Sequence, residues 1–120
     1  MNEIKIRYAF RNKKTKEIVL NHYTLSEIEF FGETIYTDKE GCELVGRDLW
    51  IGEKDKKGQE IYLGDIDITD DVPMIVTYKD GRFGLKFLND HVFIDDCIDW
   101  EECEIGGNVY QNFELLEGAE

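Results

Sequence analysis

The residues around which most enzymes are built are scarce in this chain of 120 residues. Its one serine, Ser26, lies outside any GxSxG elbow, which removes the usual hydrolase nucleophile. Its two histidines, His22 and His91, have no HExxH-like pairing and read as strand surface residues. There is no P-loop and no GxGxxG after a strand, so the standard nucleotide-binding motifs are missing. Three cysteines, Cys42, Cys97 and Cys103, form an odd set without CxxC spacing, which fits reduced thiols better than a disulfide framework. No apolar run approaches the roughly 18 residues of a membrane helix. The opening MNEIKIRYAF is charged from its third residue, so no export signal or membrane insertion is expected. Positive charge is the last scarcity. Residues 61–120 hold 3 Lys and Arg against 15 Asp and Glu, whereas residues 1–60 are nearly balanced at 11 against 12.

A net charge of −13 disfavours direct contact with nucleic acid or anionic membranes and favours cations and basic proteins as partners. The competing explanation is that acidity only keeps the protein soluble. Aromatic and apolar residues are plentiful enough for a folded core without disulfides or metals.

Strand patterns fill most of the chain. EIKIRYAF alternates Ile4, Ile6 and Tyr8 with Lys5 and Arg7, and a basic turn (Arg11, Lys13, Lys14, Lys16) joins it to IVLNHYTL as a hairpin. That turn is too small for nucleic-acid recognition. LSEIEFF after Thr24 reads either as strand or as a single helical turn. ETIYTDKEGCELVGRDLWIG predicts two or three short strands with a turn at 38–41. Lys54 to Gly58 reads as a hairpin connection. Beyond it Tyr62, Gly64, Ile66 and Ile68 are assigned to one face, and Asp65, Asp67 and Thr69 to the other. Pro73, the only proline, should begin the next strand.

MIVTYKDGRFGLKFL carries the strongest local signal. Asp80–Gly81 suits a type I′ turn with two positive φ angles, placing Phe83, Leu85 and Phe87 inward against Tyr62, Ile66 and Ile68. HVFI and CEIGGNVY read as short strands, and NFELL as a helical turn with Asn112 as its N-cap. The fold class is therefore mostly β, with short-stranded hairpins in a small barrel or sandwich and few helical turns. One domain over 1–120 is expected, and a seam near 46–50 is the one place where it would divide into two small β subdomains.

Two acidic runs carry the candidate interaction surface: DIDITDD with Asp65 and Asp67, and DDCIDWEECE with Asp95, Asp96, Asp99, Glu101 and Glu102. An EF-hand loop counted from Asp65 fails, since Asp70 and Val76 stand where glycine and glutamate are needed. Surface carboxylates facing water are expected there, with no metal, cofactor or catalytic residue. Alternate residues of a strand lie about 6.7 Å apart, near the spacing of DNA phosphates, so an acidic strand face could also imitate nucleic acid.

Four stretches occur in a particular order: IKIRYAF, WIGEKDKKGQEIYLGDI, VTYKDGRFGLKF and EIGGNVYQNFELL. This order and spacing resemble the YopX family of phage and prophage proteins. Gly52, Lys54, Asp55, Gly58, Glu60, Ile61, Tyr62, Gly64, Asp65 and Ile66 match its central motif, and Asn108, Tyr110, Asn112, Glu114 and Leu115 its closing one. Trp50, Ile51, Glu53, Leu63 and Phe113 depart from it. The resemblance implies a mostly β fold with an SH3-like barrel in the C-terminal part and self-association into a homo-oligomer; with the reduced thiols it leads to the expectation of the cytoplasm of a bacterial host. It implies no known activity and carries over no catalytic residue. Physically, the central motif reads as architecture: Lys54 to Gly58 make a polar turn with Gly58 free to take positive φ, Ile61, Tyr62 and Ile66 anchor the following strand, and Gly64 permits close approach of another group.

Three functions remain open. The first is a non-enzymatic accessory protein binding a host or phage macromolecule through its acidic surface. The second is an oligomeric sponge for a small nucleotide signal of host defence, stacking on Trp50, Tyr62 or Trp100 with phosphates held by Arg47, Lys54, Lys56 or the N-terminal basic cluster. The third is a nucleic-acid mimic that inhibits a host protein.

Overall fold

The computed structural model describes residues 3–37, 39–88, 93–94 and 98–117. His91, Asp95, Asp96 and Cys97 lie outside the described residues, as does Asp38 of the expected 38–41 turn. Among the described residues the protein is mostly β, with two antiparallel sheets and three short helices. It divides into two units, Met1–Trp50 and Ile51–Glu120.

In the first unit, β1 (Lys5–Asn12) pairs with β2 (Ile18–Thr24) on one side and with residues 42–49 of β3 (Cys42–Lys54) on the other. Asn12 makes the β1–β2 turn, its Oδ1 accepting from the amides of Lys14 and Thr15. Being central, β1 is buried over four consecutive residues, so Arg7 is as enclosed as Tyr8. Arg7 faces Asp48 across the β1–β3 ladder at 3.5 Å. Tyr8, Phe10 and Ile35 form the core of this unit, with Tyr23 set edge-on to Tyr8.

Thr24 settles the ambiguity of LSEIEFF. Its hydroxyl accepts from Glu27 N–H while the Glu27 carboxylate accepts from Thr24 N–H, a capping box that opens helix α1 (Leu25–Phe31). The strands expected in 33–52 are corrected. Thr34–Thr37 is a helical turn, α2, in which the Thr34 and Thr37 hydroxyls donate to carbonyls three residues back and Ile35 is buried. The β-branched residues that suggested strand are overridden by local hydrogen bonding and core contact. After it runs one 13-residue strand, β3, in place of two short ones.

In the four-strand order β2-β1-β3-β4, β4 is Glu60–Tyr62. The second sheet has the order β8-β7-β6-β5-β9, built from β5 (Asp65–Asp67), β6 (Met74–Lys79), β7 (Arg82–Lys86), β8 (Phe93–Ile94) and β9 (Ile105–Asn108). No pairing of β8 with β9 that would close a barrel occurs among the described residues. A 3₁₀ turn, Trp100–Glu102, precedes β9, and helix α3 (Glu114–Glu117) follows it. Asn112 does not cap α3 with its side chain, because its Oδ1 accepts from Asn108 N–H instead.

The β6–β7 hairpin is as the sequence predicts. Asp80 has φ 51 and Gly81 φ 83, and Lys79 pairs with Arg82 across the two-residue turn. Leu85 is buried, and Phe83 and Phe87 pack against the core from partly buried positions. The partners differ from expectation: the cluster holds Ile51, Ile61, Met74, Val76 and Ile105, while Tyr62 and Ile66 are buried outside it. A two-residue turn at Leu63–Gly64, with Gly64 at φ 87, breaks the strand expected to run through 62–68 and changes which side chains share a face.

Candidate functional site

In the motif stretch 54–66, Asp55 and Asp65 spend their carboxylates on backbone amides. Asp55 is 4% exposed. Its Oδ1 accepts from the amides of Lys57 and Gln59, both at 2.9 Å, and its Oδ2 from Ile105 N–H at 3.0 Å. Gly58, at φ 82, closes the loop by donating to the Asp55 carbonyl. Burial pushes the Asp55 carboxyl upward, but the three amides outweigh it and hold the pKa below the usual 3.8. Asp65 Oδ2 accepts from Tyr62 N–H across the Leu63–Gly64 turn. Asp67 Oδ1 accepts from the amide and hydroxyl of Thr69, and the Thr69 oxygen in turn accepts from Glu104 N–H. Asn108 Oδ1 accepts from Tyr110 and Gln111 N–H.

Asp65 and Asp67 are each 2% exposed, which corrects their assignment to a solvent-facing acidic surface. Each short carboxylate has exchanged water for nearby amides, the condition under which a buried acid is tolerated. Gly64 serves the turn through its positive φ, and its N–H donates to Val76 while its carbonyl accepts from Val109.

A cleft of about 290 Å³ opens within the second unit. Met74, Leu85, Ile94 and Ile98 supply its apolar wall, and Asp67, Asp70, Asp99 and Glu102 bring four carboxylates to it. No Lys or Arg stands among its described lining residues. Cys103 is a further lining residue, its Sγ donating to the Asp99 carbonyl at 3.6 Å. Burial and then the charges of Asp67, Asp99, Asp55 and Asp70 push its thiol from 9.0 up to about 11. The thiolate is thus resisted first by burial and then by the same negative charges that would welcome a cation.

The pattern of turns built by Asp55, Gly58, Gly64, Asp65 and Asn108 falls on the positions that carry the sequence resemblance, and the family model described as YopX protein matches residues 5–117. The chain belongs to the YopX family. No curated protein matches it.

In this YopX chain the candidate surface is therefore split. Asp67, Asp99 and Glu102 are gathered at one cleft, and exposed Glu101 stands beside Glu102 in the 3₁₀ turn. Asp65 is tied into its turn away from that lining. Within the acidic run around Trp100, Glu101 and Glu102 lie in a 3₁₀ turn, so these two carboxylates lack the strand spacing on which the comparison with phosphates rests. The aromatics considered for base stacking are otherwise engaged. Tyr62 is buried, Trp100 packs against the core, and Lys5 Nζ lies 4.7 Å from the Trp50 ring centre. Lys56 is paired with Glu104 at 3.0 Å. Cys103 escaped the sequence reading because only its position inside an acidic run hinted at a charged setting. Among the described residues, no three His, Cys, Asp or Glu side chains are placed to hold a metal ion, and no helix is long and apolar enough to cross a membrane.

Proposed function

We propose that this YopX protein is a non-enzymatic phage or prophage accessory protein that binds a basic protein partner through the acidic cleft. The observation that carries the reading is the meeting of Asp67, Asp70, Asp99 and Glu102 over an apolar wall with no cation in the described lining. A lysine or arginine side chain suits both parts: its methylenes pack on Met74, Leu85 and Ile98, and its charged head meets the carboxylates. Self-association belongs to the same proposal.

The test is the affinity of an arginine-rich peptide, measured by fluorescence anisotropy at low and at high salt. Binding should weaken as salt rises and be lost in Asp99→Lys/Glu102→Lys, both of which change exposed residues outside the core. Equal affinity of that double variant and the parent would refute the cleft as the binding site. Sedimentation of the parent chain reads the oligomeric state in the same buffers.

A further inference from the structure

Positive charge in residues 61–120 is confined to Lys79, Arg82 and Lys86, and all three belong to the β6–β7 hairpin. The ladder puts them on one face. Lys79 pairs with Arg82, Thr77 with Gly84, and Ile75 with Lys86, which pairs in turn with Phe93 of β8. Paired residues share a face, and so do alternate residues of a strand. Thr77, Lys79, Arg82, Gly84, Lys86 and Phe93 therefore line the side opposite to Val76 and Leu85.

Gly84 has a particular function on that face. A Cβ there would lie 2.6 Å from Cε1 and Cζ of Phe93 and 2.5 Å from the Ile94 carbonyl oxygen. The Phe93 ring thus rests on the backbone of Gly84, in a space that only glycine leaves. Arg82 and Lys86 flank Gly84 two residues away on either side, about 6.7 Å along the strand. Thr77, Tyr78, Lys79, Lys86 and Phe93 line a groove of about 290 Å³ with no carboxylate in its described lining. Asp80 follows Lys79 in the turn, and Asp90 and Asp95 lie outside the described residues.

An aromatic ring lying on a sheet face and bordered by cations is the arrangement on which nucleobases stack while their phosphates are neutralised. We propose that this face of the β6–β7–β8 sheet binds a nucleoside phosphate, with its base on Phe93 and its phosphate held by Lys79 and Lys86. The groove, at about 290 Å³, falls just below the roughly 300–1,000 Å³ of small-molecule sites, which suits no ligand larger than a single nucleotide. A net charge of −13 opposes a polyanionic strand far more than one phosphate group. The site is separate from the acidic cleft and does not depend on the reading given to that cleft.

Titration of the ¹⁵N-labelled chain with adenosine 5′-monophosphate tests this. Saturable shifts are expected at the amides of Thr77, Gly84, Lys86 and Phe93. Adenosine and inorganic phosphate should each bind about tenfold more weakly or worse, as expected when stacking and charge both contribute. Lys79→Ala/Lys86→Ala and Phe93→Leu should each cost about tenfold in affinity, while Asp99→Asn in the acidic cleft leaves it unchanged. The lysine variant changes exposed Lys79 and half-buried Lys86, and its spectrum away from the groove reports whether it is folded. No saturable shift, equal binding of inorganic phosphate, or undiminished binding in the lysine variant would overturn the proposal. Tighter binding of a single-stranded oligonucleotide than of the mononucleotide would overturn the ligand class.

Discussion

Arg7 and Asp48 show what a single buried charge can cost. At 4% and 15% side-chain exposure they face each other in the first unit. Asp48→Ala should destabilise by about 3–5 kcal/mol, because the enclosed guanidinium loses the carboxylate that faces it. Arg7→Met/Asp48→Leu should recover most of that loss in urea titrations, since an apolar pair removes both desolvation penalties. Asp55 acts through pH. Its folded pKa is lowered, so its contribution is whole above about pH 4 and is lost as pH falls through the folded value. Asp55→Asn should lower stability at neutral pH and flatten the acid limb of the pH–stability curve. Cys103 has the opposite sign. Its pKa is raised from 9.0 to about 11, so stability is whole below pH 9 and falls as the pH rises towards 11. In Cys42→Ser/Cys97→Ser, the thiolate absorbance of Cys103 should titrate near 11, and Asp99→Asn should lower that midpoint. At this scale little was legible in the sequence. Asp55 was recognised as a motif residue, but its partner Ile105 is 50 positions away and no local pattern announces it.

Elements whose cause is local were read well. The Asp80–Gly81 turn needs only two residues able to adopt positive φ, and both are adjacent. Gly81→Val should cost on the order of 1–3 kcal/mol through strain alone. Phe83→Ala should cost about 2 kcal/mol, less than the roughly 3–5 of a fully enclosed ring, because Phe83 is only half-buried. Thermal melts of the two variants separate turn strain from packing. Where the cause was not local, the reading failed. The helical turn at Thr34–Thr37 depends on the burial of Ile35, and the unbroken length of β3 depends on pairing with β1. Asp65 and Asp67 were misplaced because the Leu63–Gly64 turn interrupts an alternation that looks continuous in sequence.

For the whole molecule, charge sets the expectations. Asp99→Asn and Glu101→Gln alter exposed residues in a chain of net charge −13, so each should leave the melting temperature unchanged or slightly raise it. Added salt should raise the parent's melting temperature and narrow that difference, because it screens the same repulsion. Composition made the sign of the surface plain from the start. It could not show that carboxylates gather at a cleft with Cys103, nor that the three cations after residue 60 share one sheet face, since both depend on strand register. The tie between Asp55 and Ile105 also has a consequence for the order in which the chain is made. The β1–β2 hairpin involves near neighbours in sequence and can close as soon as it is synthesised. Strand β5 must wait for β9, its partner from residues 105–108, and until then Asp55 has one oxygen facing an empty place in its turn. A ribosome-bound chain ending at Cys103 should therefore display a formed hairpin at its start and an unfinished second sheet, and limited proteolysis of the stalled chain should cut there first.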